Sequence, residues 1–394
     1  MKQSEVSSPP SEETSTAATS PDDSSWSAYK RIQVRCKQAA IQDIGAIPGF
    51  VDVLCSEDER IYRLQCDHDY YCDSSEFYQG PMFGIVGFPG FVFFPQAIST
   101  NVQTELVYQS VSEFCEAPHA TNIDLLSPKS YEIVNTPNET MWKLWKQQTN
   151  ATTDSSNQKE KFYRSFQKLS WATTGYHYDW TQRAYHEGAK SPMPATLKNI
   201  STLLARTALA MEHTATAKDS TADCTAPIKN RKQKMQFTPS ACIINYYHNK
   251  SVMGGHRDDL EYALDKPVVS MSLGLPGIFL LGGATKQDSP VLPILARPGD
   301  VMVLGGASRL NFHGMARVLP RDSLTGLAAV LPPGASDRIP TTTQQVTSAK
   351  CSPNIGQVHT SFHYPETDDE AALELFLRTH RINITVRQVH KDKG

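Results

Sequence analysis

The sequence lacks the features that mark membrane, secreted and disulfide-linked proteins. None of its apolar runs approaches the roughly 20 residues needed to cross a bilayer, and its start has neither a basic region nor an apolar signal stretch. The 8 cysteines are spread singly, with no CxxC pair. We therefore expect reduced thiols, no zinc finger, no membrane association and no secretion.

The charge of the chain is nearly balanced, with 38 Lys and Arg residues against 41 Asp and Glu residues. This balance excludes a wholly cationic surface, so a nucleic-acid partner would need a local basic patch. Such a patch could come from the cluster Lys229, Arg231, Lys232 and Lys234, although charge runs of this kind are more often simply solvated.

Composition along the chain predicts its domain organisation. Residues 1–28 are rich in Ser, Thr, Asp, Glu and Pro and can bury little, which predicts a disordered tail. The tail contains acids but no arginine, so there is no clear mitochondrial presequence, and we expect the nucleus, the cytoplasm or both. Polar stretches at about 214–236 and 321–358 predict insertions. The remaining units are an extension with packing helices (29–165), a lid and helix (166–240) and a core (241–390).

The apolar pattern indicates a β-rich core with flanking helices, of the α+β class. Residues 81–115 predict a strand or turn that leads into a packing helix, and 195–213 predict another helix from apolar residues at helical spacing. From 241 onward, short apolar segments alternate with glycines and prolines, which is typical of an antiparallel sandwich or jelly roll. The expected strands cover 242–247, 267–273, 278–281, 291–295, 301–304 and 382–389.

Three His-x-Asp triplets are candidate metal ligands, starting at His177, His256 and His390. Two histidines and one carboxylate form the facial site of non-haem Fe(II) oxygenases, which leaves metal positions open for cosubstrate and oxygen. The first triplet lies among aromatics and the last in a charged C-terminal segment, where stacking and solvation are simpler accounts. His256 and Asp258 follow a predicted strand, and His313, beyond the strand at 301–304, is the candidate third ligand.

The segment 381–387 carries the strongest local signal. As a strand, it sends Arg381, Asn383, Thr385 and Arg387 to one face and apolar residues to the other. If the polar face looks into a cavity, its guanidinium groups need an anion, and arginine suits carboxylates. The alternative is an edge strand with its polar face in water.

Two further polar residues belong to the strand that leads towards His256. Asn245 and Tyr247 lie two positions apart, so they share a face and could donate hydrogen bonds to the same carboxylate. Together with the candidate metal ligands and the paired arginines, they favour Fe(II), O2 and a dicarboxylate cosubstrate, 2-oxoglutarate.

The ordered motifs resemble the AlkB family of oxidative nucleic-acid dealkylases, and within it the eukaryotic AlkB homolog 1 group. The resemblance runs from about Trp171 to Val389 and is carried by Ile244-Asn245-Tyr246-Tyr247, His256-Arg257-Asp258, Phe279-Leu280-Leu281-Gly282-Gly283, Pro298-Gly299-Asp300, Gly305-Gly306-Ala307-Ser308-Arg309-Leu310, His313-Gly314 and RINITVRQV at 381–389. It implies a double-stranded β-helix (jelly roll) with an N-terminal nucleotide-recognition extension.

The resemblance also implies roles for individual residues. The implied iron ligands are His256, Asp258 and His313. The implied contacts to the distal carboxylate of 2-oxoglutarate are Asn245, Tyr247 and Arg381, with Asn383 and Arg387 nearer the metal-bound end. In the family a flipped base enters a pocket beneath a lid, and the substrate contacts expected here are Trp171, Tyr176, Tyr178, Lys286 and Arg309, although aromatic residues are more often core.

One departure from the family pattern affects substrate choice. Leu260 stands where the bacterial pattern has an acid that reads the base, so a preference for 1-methyladenine and 3-methylcytosine is not assumed. We expect a monomeric enzyme that demethylates N-methylated bases with release of formaldehyde, succinate and CO2, acting on methyladenine in tRNA first and in DNA second. The alternatives are a protein (histone) hydroxylase or demethylase and a non-catalytic nucleic-acid-binding module.

Overall fold

A computed structural model describes residues 24–55, 57–65, 77–124, 140–150, 166–179, 182–219, 235–323 and 364–392. Most of the predicted tail, almost all of the 321–358 insertion and the basic cluster at 229–234 lie outside the described residues. In the described part of the chain, no helix is both long and apolar enough to span a membrane.

Five α-helices, two short 3-10 helices (Ile41–Ala46 and Gly306–Ser308) and fourteen strands make up the described fold. The helices are α1 (Ala28–Gln38), α2 (Thr100–Ser112), α3 (Met141–Asn150), α4 (Ala195–Asp219) and α5 (Asp369–Leu377). The strands are β1 (Ile61–Leu64), β2 (Met82–Ile85), β3 (Phe91–Phe94), β4 (Ala120–Thr121), β5 (Trp171–Asp179), β6 (Ala184–Lys190), β7 (Ala241–His248), β8 (Met253–His256), β9 (Val268–Gly274), β10 (Gly277–Leu281), β11 (Leu292–Ala296), β12 (Val301–Leu304), β13 (His313–Val318) and β14 (His380–Arg387).

The strands form two sheets, and the predicted jelly-roll core is confirmed. The main sheet has the order β1-β2-β3-β12-β9-β14-β7-β5-β4, with β6 attached to β5, and the second sheet has the order β11-β10-β13-β8. Side chains from both sheets, such as Phe93 and Phe279, share one buried apolar cluster. The sheets therefore pack face to face, as in a β-sandwich.

The outer face of the main sheet is covered by helices. Apolar residues of β14 (Ile382, Ile384 and Val386) belong to one cluster with residues of α2 and α4. The period of two along the strand sends the polar residues of β14 to the opposite face. Because β14 lies between β7 and β9 and all its residues are buried, the solvated-edge alternative is wrong.

The N-terminal part of the chain adds strands to the main sheet and packs a helix against the second sheet. Strand β3 pairs with β12, and β5 pairs with β7, so the main sheet continues across residues 165 and 240, where the sequence suggested boundaries. Helix α1 begins inside the expected tail, after Ser27 accepts a hydrogen bond from the Lys30 N–H. Its residues Ala28 and Tyr29 are buried against β10, β11 and β13.

Candidate metal centre and its cavity

Three metal-ligating side chains converge where β8 ends and β13 begins. His256 and His313 are paired across these two strands, and Asp258 follows β8 by two residues. One ligand atom from each of the three side chains lies within 4.8 Å of the others. His313 Nε2 is 3.8 Å from Asp258 Oδ2. This donor set, two imidazoles and one carboxylate, suits Fe(II) and leaves positions open.

Backbone hydrogen bonds orient both imidazoles. Nδ1 of His256 is 3.1 Å from the Gly254 carbonyl, and Nδ1 of His313 is 3.1 Å from the Asn311 carbonyl. Because a carbonyl oxygen only accepts, each Nδ1 carries the proton and each Nε2 keeps its lone pair. Burial, followed by the neighbouring His256, lowers the pKa of His313 to about 4. His313 is therefore neutral near pH 7, which is the form that binds a metal.

Asp258 is held as a carboxylate by Arg387. Arg387 Nη2 donates to Asp258 Oδ2 at 2.8 Å. Burial alone would raise the pKa of Asp258, but Arg387, and then His313 and His256, hold it well below its usual range. The third candidate ligand is therefore ionised in the neutral pH range.

Glu261 lies beside the candidate metal ligands and was not predicted from the sequence. Its buried carboxylate accepts hydrogen bonds from Arg309 Nη2 at 3.0 Å and from the Tyr185 hydroxyl at 3.1 Å. It also lies 3.4 Å from Arg387 Nε. Glu261 therefore links Arg387 to a second arginine beneath the metal ligands. Its only local signal is its spacing of three residues from Asp258.

The structure gives Arg309 a different position from the expected substrate contact. Arg309 is only 3% exposed, and its Nε donates to the Lys266 carbonyl at 2.8 Å. Nη1 donates to the backbone carbonyl of Asp258. Arg309 does not line the cavity described below. It anchors the Asp258 backbone instead, because its donors are already used by protein acceptors.

Arg381 is fully buried and lacks an acidic partner. Its Nη1 donates to the Leu275 carbonyl at 2.9 Å and its Nη2 to Ser272 Oγ at 2.8 Å. Its Nε has no hydrogen-bond partner, and among the described residues no carboxylate forms an ion pair with it. Burial lowers the pKa of Arg381 to about 10. A buried cation with an unused donor fits an anionic ligand such as a carboxylate.

Three of the four remaining predicted cosubstrate residues lie near Arg381 in the sheet. Across β7 and β14, Tyr247 is paired with Arg381, and Asn245 with Asn383. Asn383 donates to Ser270 Oγ at 3.1 Å and to Thr385 Oγ1 at 3.0 Å. The polar face predicted for β14 therefore meets the polar face of β9 and the side chains of β7.

These groups border a cavity of about 450 Å³. The three candidate metal ligands line it, and so do Asn245, Tyr247, Asn383 and Arg387, whereas Arg381 does not. Leu260, at the position of the family's base-reading acid, also faces the cavity. The size suits a small molecule together with one planar group.

The expected substrate contacts divide according to position. Tyr178 lines the cavity, and its ring lies 5.4 Å from Tyr185, a second aromatic lining residue. Tyr176, Trp171 and Lys286 do not line it. Tyr176 donates to Glu187 at 2.8 Å outside the cavity.

Trp171 and Lys286 lie apart from the cavity in different ways. Trp171 is half-buried at the start of β5, opposite Asn245. Lys286 is exposed, with its Nζ 5.3 Å from the centre of the Phe312 ring. Tyr185 was missed because it is the one buried side chain of β6, so no apolar alternation marks it.

The other two His-x-Asp triplets form no such cluster. His177 Nδ1 is 2.8 Å from Thr173 Oγ1, and Asp179 Oδ2 is 3.9 Å from His186 Nε2. His390 lies beside Glu187 at 3.3 Å. His177 is thus half-buried and bonded to a threonine, and His390 is half-buried and stacked on Tyr262 rather than solvated.

Comparisons with known proteins agree with this site. The profile of the 2OG-Fe(II) oxygenase superfamily matches residues 126–387. The chain is 29% identical over 307 residues to a human protein named nucleic acid dioxygenase ALKBH1, covering 78% of this chain and 66% of that protein. It is 28% identical over 321 residues to an Arabidopsis thaliana protein named DNA N(6)-methyladenine demethylase ALKBH1A, covering 78% of each.

A third relative comes from Schizosaccharomyces pombe and is named tRNA demethylase abh1. It is 26% identical over 156 residues, which cover 40% of this chain and 44% of that protein. The match to the human relative spans 66% of that protein's length, or about two thirds.

The resemblance to AlkB homolog 1 proteins is confirmed. Because the superfamily profile covers more than half of the chain and the two-sheet fold agrees with it, the protein belongs to the 2OG-Fe(II) oxygenase superfamily, whose cofactors are Fe(II), 2-oxoglutarate and O2.

Proposed function

We propose that this chain oxidatively removes methyl groups from the nitrogens of nucleobases in nucleic acid. The observation that carries the proposal is the convergence of two correctly oriented imidazoles and an ionised carboxylate on a cavity with an aromatic wall. A cavity of about 450 Å³ has room for a planar group of modest size beside a metal and its cosubstrate.

Two sets of residues hold the cofactors in this proposal. His256, Asp258 and His313 would hold Fe(II) through Nε2 and carboxylate oxygens. The buried guanidinium of Arg381 would receive the distal carboxylate of 2-oxoglutarate, assisted by Asn245 and Tyr247, and Asn383 and Arg387 would lie nearer the metal-bound end. Bound iron, with O2 and 2-oxoglutarate, supplies the oxidation of a C–H bond.

The overall chemistry balances without any further reductant. One oxygen atom of O2 enters the methyl C–H bond, and the other enters succinate as 2-oxoglutarate loses CO2. The resulting N–CH2OH group breaks at its C–N bond, which releases formaldehyde and restores the N–H of the base. The protein positions the base: the rings of Tyr178 and Tyr185 flank the cavity, and aromatic faces bind extruded bases by stacking.

Among substrates, methyladenine in tRNA is the first choice and N6-methyladenine in DNA the second. Two relatives support the two candidates by name, one as a tRNA demethylase and one as a DNA N(6)-methyladenine demethylase. Leu260 in the cavity wall supports a preference different from that of a site with an acid at this position.

Release of succinate and formaldehyde tests this function directly. The chain, loaded with Fe(II) and 2-oxoglutarate, is incubated with methylated tRNA, methylated DNA oligomers or methylated histone peptides. Equal amounts of formaldehyde and succinate with a nucleic acid support the proposal. Turnover with histone peptides alone would make the chain a protein demethylase, and no turnover with any substrate would favour a binding module.

The proposal includes a monomer that acts in the nucleus, the cytoplasm or both. Light scattering of the purified chain measures its mass in solution, and a mass of twice that of the chain contradicts the monomer. Fluorescence microscopy of the tagged full-length protein tests the compartment.

A further inference from the structure

An aromatic stack lies on the surface beside the cavity. The ring of Tyr262 is parallel to the imidazole of His390, with the centres 5.2 Å apart and an interplanar angle of 20°. Tyr176 lies 5.1 Å from the same imidazole. Tyr262 is 58% exposed. We call Tyr176, Tyr262 and His390 the aromatic platform.

The backbone holds Tyr262 in this exposed position. Its N–H and that of Ala263 both donate to the Val389 carbonyl, at 2.8 and 3.1 Å. Before it in the chain, Glu261 is fixed by its bonds to Arg309 and Tyr185. The ring is thus ordered at the surface with one face on His390, although core packing does not cover it.

The platform is continuous with the wall of the cavity. Glu261, the residue before Tyr262, lines the cavity. Tyr176 packs against a small apolar cluster that also contacts Tyr178, and Tyr178 lines the cavity. A strand whose one base enters the cavity would therefore pass its neighbouring base over the platform.

Charges around the platform are compatible with a phosphate backbone. Lys190 Nζ lies 5.2 Å from the centre of the Tyr176 ring, and Lys391 is exposed next to His390. An acid close by, Glu187, accepts from Tyr176 and lies 3.4 Å from Lys190 and 3.3 Å from His390. Its charge is thus partly balanced by Lys190. A second acid, Asp392, pairs with Lys266 at 3.2 Å.

We infer that the aromatic platform is a subsite that stacks the base next to the one in the cavity, in a single strand of DNA or RNA. Stacking on an aromatic face is tolerant of base identity, so this subsite would select single strands rather than a sequence. The inference rests on the proposed function, because it takes a nucleic acid as the occupant of the cavity.

Binding of short, fluorescein-labelled, unmethylated single strands tests the subsite. Fluorescence anisotropy is measured for DNA and RNA strands of mixed sequence, with the parent chain and with Tyr262→Ala. We expect Tyr262→Ala to weaken binding of the strands about tenfold and Tyr262→Phe to bind like the parent. Binding of a single methylated nucleotide, measured by competition, should not change, because it lacks the neighbouring base.

Tyr62→Ala is the matched control. Tyr62 is also exposed, at 42%, but lies on β1 at the far end of the main sheet from β5. Unchanged binding by Tyr262→Ala, or an equal loss with Tyr62→Ala, would overturn the platform while leaving the proposed function standing. A parent chain that binds no strand but binds an unmodified peptide would overturn both.

Discussion

Two arginines on the same strand have opposite surroundings. Arg381 and Arg387 both lie on the polar face of β14, and both are buried. Arg387 pairs with Asp258 at 2.8 Å and Glu261 at 3.4 Å, whereas Arg381 donates to a hydroxyl and a carbonyl and pairs with no carboxylate in the described part of the chain. Burial lowers the pKa of Arg381, but for Arg387 the nearby Asp258 outweighs burial and raises the pKa.

This difference separates a cation that two acids neutralise from one that no described acid neutralises. A buried ion pair is strongly destabilised when one partner is removed, because the other charge stays buried without compensation. A buried cation without an acid already carries that penalty, and an anionic ligand relieves it. Arg387 thus stabilises the folded protein and holds Asp258, a candidate metal ligand. Arg381 is the arginine that we propose binds the distal carboxylate of the cosubstrate.

The largest expected effect comes from replacing Asp258, the acid that pairs with Arg387. Asp258→Ala removes a candidate metal ligand, so we expect formaldehyde release to fall to background and Fe(II) binding, measured by calorimetry, to weaken strongly. Asp259→Ala is the control. It removes the next carboxylate in the chain, which pairs with Arg257 at 3.3 Å rather than with Arg387. Retained turnover by Asp258→Ala would refute the ligand assignment.

Removal of Arg387 should destabilise the protein even without iron. In Arg387→Met, Asp258 loses the cation that pairs with it, and Glu261 keeps Arg309 as its cationic partner. We therefore expect the free energy of unfolding to fall by about 3 kcal/mol. Urea denaturation in the presence of a chelator measures it, and Arg387→Lys should recover part of the loss. A stability equal to that of the parent chain would mean that the pair contributes little.

Arg381→Met should separate stability from cosubstrate binding. Because no acid is left unpaired, we expect the unfolding free energy of the metal-free chain to change little or to rise. The KM for 2-oxoglutarate should rise about tenfold or more, since a hydrogen bond to a charged group contributes about 1.5–3 kcal/mol. Ser272→Ala, which removes a neutral acceptor of Arg381, should change KM less. An unchanged KM in Arg381→Met would contradict the cosubstrate role.

The smallest expected effect concerns His380, the residue before Arg381. Burial, followed by His248, lowers the pKa of His380 from 6.5 to about 4. The unfolded chain therefore binds more protons in this range, and His380 makes stability fall as the pH decreases from 6.5 towards 4. His380→Phe keeps the ring beside Phe376 and should make that fall shallower, by on the order of 1 kcal/mol per pH unit. An identical pH profile of urea midpoints would contradict this.

Local pattern was enough to predict the parts of the fold that depend on period and spacing. The alternation along 381–387 predicted which side chains of β14 share a face, and the helix at 195–213 is contained in α4. It did not predict that β3 and β5 join the core sheet. Strand pairing between segments far apart in sequence depends on register and packing that no local period encodes.

The residues of the candidate site also divide into those that the sequence predicted and those that it did not. His256, Asp258 and His313 were found from ligand types and motif order, and they meet in space. Arg309 was misplaced because a motif does not say which way an arginine points; in the fold its donors reach Lys266, Asp258 and Glu261. Tyr185 and Glu261 were not predicted, because neither residue stands out in the sequence. They are connected to the site by tertiary contacts such as the hydrogen bond from the Tyr185 hydroxyl to Glu261, at 3.1 Å.

The amino-acid sequence by itself determined the kinds of groups available and the strand faces that carry them, because side-chain chemistry and the period of two are local properties. Only the tertiary structure decided which arginine is neutralised and which is left for an anion. That outcome depends on distances of a few ångströms between β14 and the segment after β8, and electrostatic energies in a buried site change steeply over such distances.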